Sequence, residues 1–177
     1  MKQEVTEVQD IRLSPYSTKP SEAVLSHSCV PSVASDQRSS LSELDDVRLS
    51  PHFKLGEFLN LKKYPENIPT VQVVASLTYG CHLLLEPARE VVGPIIINSG
   101  FRSPEVNRKV GGVTRSQHII GQAADIRPKD PSQFLRLVDF LRHHELTDQL
   151  LTGSNWLHVS WNPYAQARHF IRIGYYK

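Results

Sequence analysis

A chain of 177 residues, 40% of them hydrophobic, can bury one core and has length to spare beyond it. Its formal net charge of +2 comes from basic residues scattered along the chain, which gives no footing for nucleic acid or an anionic membrane as partner. The two cysteines, Cys29 and Cys81, are too few for a disulfide framework or a four-cysteine zinc site and read as reduced structural thiols.

The first ten residues carry Lys2, Glu4, Glu7 and Asp10 without an apolar stretch of signal-peptide type, and no later run is apolar and long enough to span a bilayer. The expectation is a chain that is cytoplasmic when synthesised. Residues 1–48 read as a poorly ordered leader, because residues 14–42 are rich in Ser and Pro, lack periodicity and bury too little to offset their ordering entropy. The leader holds a short repeat, Asp10-Ile11-Arg12-Leu13-Ser14-Pro15 returning as Asp46-Val47-Arg48-Leu49-Ser50-Pro51. It is either a docking strand present twice or an accident of local duplication; the second is preferred, and the repeat is too short for a solenoid.

A folded domain is expected over residues 49–177. Leu55, Phe58 and Leu59 have the spacing of a short amphipathic helix, and Tyr64 to Pro69 is a loop by its prolines. Thr70 is placed to cap a helix whose apolar positions include Val71, Val74, Leu77, Cys81, Leu84 and Leu85; Pro87 either kinks it or opens a second segment, and Gly93-Pro94 closes it. Ile95-Ile96-Ile97 predicts a buried strand, a long polar stretch follows, and Ala123 to Ile126 resumes extended chain. Ser132 to Leu146 predicts an amphipathic helix with Phe134, Leu137, Val138 and Leu141 on one face. Gln149–Leu151, Trp156–Trp161 and Phe170–Tyr176 predict three more strands. This order argues for an α+β fold with a small, largely antiparallel sheet and helices packed on one side.

His118 and Asp125 stand seven residues apart with Gly121 between them, so one turn can bring them together, and Ala123 and Ala124 allow close packing of the Asp-bearing strand. An imidazole and a carboxylate suit zinc, but two ligands are too few. On a strand through Trp156-Leu157-His158-Val159-Ser160-Trp161, alternation sends Leu157, Val159 and Trp161 to the core and His158 to the other face. That is a ligand position, although spacing alone fits a hydrogen-bonded structural histidine as well.

The stretch Ser99-Gly100-Phe101-Arg102-Ser103, then Asn107, Gly111-Gly112, Ser116-Gln117-His118, Gly121, Ala123 and Asp125, and finally Trp156-Leu157-His158-Val159-Ser160, resembles the zinc D-alanyl-D-alanine carboxypeptidases, closest to the short forms of phage endolysins and bacterial mobile elements. Lysostaphin-type endopeptidases and the hedgehog domain are relatives of that family. The resemblance implies zinc as cofactor with His118, Asp125 and His158 as ligands, and a zinc-bound water that attacks a peptide of peptidoglycan, in a carboxypeptidase or wall endopeptidase reaction. It implies that Arg102 contacts a substrate carbonyl or carboxylate, and that Ser116, Gln117 and Trp156 shape the substrate site. The partner it implies is the stem peptide, bound by a monomer that reaches the wall by lysis or injection.

Active members of that family also carry a general base shortly before the last histidine. Thr152, Gly153 and Asn155 occupy those positions here, and none takes a proton near neutral pH. Asp148 and His169 are the candidates for the role, with the His143–His144 pair as a further one at a helix end. Because base assistance is worth roughly 10²–10⁴-fold in rate, a zinc-stabilised domain that binds wall peptides but cuts them weakly or not at all is the alternative.

Overall fold

The computed structural model describes residues 43–174. The first copy of the repeat, Cys29, most of the expected leader and residues 175–177 lie outside them. The second copy is built into the packing. Leu49 is buried, Leu55 donates its amide to the Val47 carbonyl at 2.8 Å, and Glu86 Oε1 accepts both the Ser50 hydroxyl at 2.6 Å and the His52 amide at 2.8 Å. Leu44, ahead of the repeat, already packs against the core.

Helix α1, Leu55–Leu59, buries Leu55, Phe58 and Leu59, the three residues its spacing singles out. Helix α2, Val71–Gly80, starts at Thr70, whose hydroxyl accepts the Val73 amide. The helical path then runs through a π-helical turn, Cys81–Leu85, into α3, Glu86–Val92. Pro87 falls in the first turn of α3, where its missing N–H and fixed φ cost nothing, and the wider turn before it lets the Glu86 amide reach the Cys81 carbonyl. Of the two possibilities for Pro87, the structure therefore takes the second segment.

The strands are β1 (Ile95–Ser99), β2 (Ala123–Pro128), β3 (Gln149–Thr152), β4 (Leu157–Ser160) and β5 (Phe170–Arg172), in the order β1-β2-β4-β3-β5. The β1–β2, β2–β4 and β3–β4 pairings are antiparallel and β3–β5 is parallel, so the fold is α+β with a mixed, mostly antiparallel sheet. Helix α5, Phe134–His143, follows a 3₁₀ turn at Pro131–Gln133 and is shorter at both ends than its pattern predicts, because His144 is extended. The core gathers Leu77, Leu84, Leu85 and Ala88 from the first helical run and Leu137 and Leu141 from α5 against Ala124, Ile126, Leu150, Leu157, Val159 and Trp161. The polar stretch is not featureless: it holds α4, Pro104–Lys109, and a 3₁₀ turn at Gln117–Ile120.

Candidate metal centre

Sheet register assembles the site. Asp125 on β2 faces His158 on β4, and His158 faces Leu151 on β3, so these three share one face. Their neighbours Ala124, Ile126, Leu157 and Val159 point into the core from the opposite face. A register shift in β1 between Ile97 and Ser99 sets Ser99 opposite Asp125. His118 arrives from outside the sheet, on the 3₁₀ turn that ends at Gly121. Gly121 has φ +68°, and a Cβ there would lie 2.8 Å from the Val73 carbonyl oxygen, so glycine is required for the chain to fold back into β2.

The three ligand-type atoms converge. Asp125 Oδ1 lies 2.9 Å from His158 Nδ1 and 3.3 Å from His118 Nε2, and the two imidazole nitrogens are 3.2 Å apart. His118 Nδ1 lies 2.6 Å from the Gly100 carbonyl, which can only accept, so Nδ1 carries the proton and Nε2 keeps its lone pair for the site. Arg102 Nη2 donates to Asp125 Oδ2 at 2.5 Å, and Arg102 Nε donates to the Ser99 hydroxyl at 2.9 Å. Burial lowers the His118 imidazole below its ordinary range against the pull of Asp125, which favours the neutral ring that ligates metal. Burial pushes the Asp125 carboxyl up, but its hydrogen bonds from His118 and His158 outweigh this and hold it well below the usual carboxylate range. A neutral imidazole pair with a firmly ionised carboxylate is a donor set that zinc takes, so the residues fit a metal ion.

The cluster forms the floor of a hollow of about 540 Å³, whose walls include Arg102, Ser116, Gln117, Trp156 and Arg168. Asp148 does not line it. Its carboxylate is 1% exposed and is taken by Arg168 Nε and Nη2, by Gln117 Nε2 at 2.9 Å and by the Arg168 amide at 2.9 Å. Hydrogen bonding from Arg168 draws its pKa down to about 2, so it does not accept a proton near neutral pH. His169 lines a different hollow, with Tyr79, Glu145 and Asn162. His143 stands at the exposed end of α5 beside Asp139, and His144 accepts the Leu146 amide. Thr152 turns its hydroxyl to the Gly174 amide. Among the described residues, Asp125 is the one carboxylate that lines the hollow. Arg168 and Leu151 are wall residues that sequence reasoning missed: neither stands in a motif, and Leu151 reads as ordinary core.

Fold and site together define a mixed α+β domain that presents a His/Asp/His metal cluster on the open face of its sheet. The sequence profile of the peptidase M15 family matches residues 69–160, just over half of the chain and the whole of the ligand-bearing region, and the chain belongs to that family. The zinc D-Ala-D-Ala carboxypeptidase of Streptomyces albus G is 38% identical over 71 residues. That stretch is 39% of this chain and 28% of the Streptomyces protein.

Proposed function

We propose that this domain is a zinc-dependent peptidase acting on the peptides of peptidoglycan, as a D-Ala-D-Ala carboxypeptidase or a wall endopeptidase. The observation that carries the reading is the convergence of His118 Nε2, Asp125 Oδ1 and His158 Nδ1 on the floor of an open hollow. Zinc held by these atoms supplies Lewis-acid chemistry, making water nucleophilic near neutral pH and polarising a carbonyl.

The chain's own residues prepare that chemistry. The Gly100 carbonyl holds the His118 ring in one tautomer, and Arg102 holds the Asp125 carboxylate by its outer oxygen. Arg102 also lines the hollow, so its charge serves a substrate oxygen as well as Asp125. Ser116, Gln117 and Trp156 form walls against which a short peptide lies. With no second carboxylate on the hollow among the described residues, the proton released on attack passes to solvent, and turnover is slower than it would be with a positioned base. The matched family and the matched relative are both described as peptidases, so a domain that only binds wall peptides draws no support from them.

The test pairs elemental analysis of the full-length chain with release of D-alanine or peptide fragments from peptidoglycan, with and without a chelator. About one zinc per chain and chelator-sensitive release are expected. His158→Ala should lose both the metal and the release; full metal content in that variant would refute the ligand assignment.

A further inference from the structure

Arg168 stands beyond residues 69–160, the stretch that matches the family, yet its side chain lines the same hollow as the metal cluster. It is mounted in an unusual way. The carboxylate beneath it, Asp148, is 1% exposed, whereas the Arg168 side chain is 61% exposed. Asp148 accepts Arg168 Nε and Nη2, and Arg168 Nη2 also donates to Gln117 Oε1 at 3.2 Å. Gln117 in turn donates to Asp148 and is the residue next to His118. The guanidinium is thereby held at a set place relative to the metal cluster, while Nη1 has no partner among the described residues.

We propose that Arg168 is the residue of this hollow that recognises a carboxylate on the bound peptide. The inference rests on the peptidase reading of the site, whose substrate it narrows to peptides bearing a free carboxylate. A guanidinium in a fixed orientation meets a carboxylate with little entropy left to lose, and its charge suits an anion. Arg102 is less free for the task, because its Nη2 is given to Asp125 and its Nε to Ser99. Arg115 also lines the hollow, but no hydrogen bond holds it among the described residues. Asp148 is already covered by Gln117 and Ser160 as well as by Arg168, so a role confined to neutralising it would not require the arginine to face the hollow.

The carboxylate has two sources, the C-terminus of the peptide or an acidic side chain, and the test separates them. Binding to the zinc-loaded full-length chain is measured by calorimetry with acetyl-Glu-D-Ala-D-Ala, its C-terminal amide, and the peptide in which Gln replaces Glu. Removal of one of the two carboxylates is expected to weaken binding about tenfold, and the exchange that does so identifies the source. In Arg168→Gln that discrimination should vanish. Because this variant leaves Asp148 buried without its cation, Asp148→Asn/Arg168→Gln is measured beside it and should lose discrimination in the same way. Equal affinity for all three peptides, no binding of any of them, or discrimination that survives in the double variant overturns the proposal. Hydrolysis of the same peptides is followed in parallel: cleavage without discrimination removes the role of Arg168 and leaves the peptidase reading, whereas discrimination without cleavage does the reverse.

Discussion

Asp125 has a partner on each of its oxygens. Oδ1 faces the two histidines and Oδ2 takes Arg102, so the arginine of the Gly-Phe-Arg-Ser motif orients a ligand as well as facing the hollow. A motif residue of this kind shows in a sequence as a position, but its partner does not, since Arg102 and Asp125 are brought together by the β1–β2 pairing and not by spacing along the chain. Arg102→Ala is therefore expected to weaken metal binding by about 10–100-fold, as loss of an outer-shell partner does, in addition to any effect on turnover. Competition against a chromogenic zinc chelator measures this, and an affinity equal to the parent's would confine Arg102 to the substrate. Asp148 illustrates the opposite error. It is the nearest acid upstream of Thr152 and so invites the role of base, yet the fold spends its charge on Arg168, twenty residues later.

The elements that build the site differ in how plainly the sequence announces them. Helix α2 is periodic and capped, and its burial follows from that pattern. Helix α4 has sound end signals, a Ser103 hydroxyl that accepts the Val106 amide and Pro104 in its first turn, but it buries only Val106 and Asn107 and shows no periodicity. The loop before α2 is anchored by a single side chain. Buried Asn67 donates to the Leu59 and Phe101 carbonyls at 2.7 and 2.9 Å and accepts the Ser103 amide at 2.7 Å, joining α1 to the arginine motif. The close approach of α2 to the end of β4 rests on Gly80, where a Cβ would come within 2.1 Å of the Trp161 ring. The same indole donates Nε1–H to the Ser76 carbonyl at 2.8 Å. Gly80→Ala should thus destabilise the domain by about 1–3 kcal/mol through overpacking, despite the better helix propensity of alanine. Urea unfolding is the measurement, and a gain in stability would show that α2 and Trp161 separate freely.

At the scale of the whole molecule, the Asp148–Arg168 pair ties the last strand to the metal face and gives stability a defined acid dependence. The folded carboxyl titrates at about 2 against an ordinary 3.8, so its contribution is complete above about pH 4 and is lost as pH falls toward 2. The shift corresponds to at most about 2 kcal/mol, and to less than that because Arg168 is largely exposed to solvent. Asp148→Asn should flatten the loss of stability between pH 4 and 2 in denaturant titrations; slopes identical to the parent's would mean that other carboxylates dominate. Among the described residues no helix is long and apolar enough to cross a membrane. The sequence alone determined the helical run after Thr70, the existence of the strands and the face on which His158 stands, because periodicity and alternation are local properties of a chain with one buried side. Only the tertiary structure decided that β2 lies beside β4, that β5 joins β3 in parallel, and that Arg168 reaches the hollow where Asp148 does not. Those outcomes depend on which distant segments share a core, and no local pattern encodes the order in which strands pair.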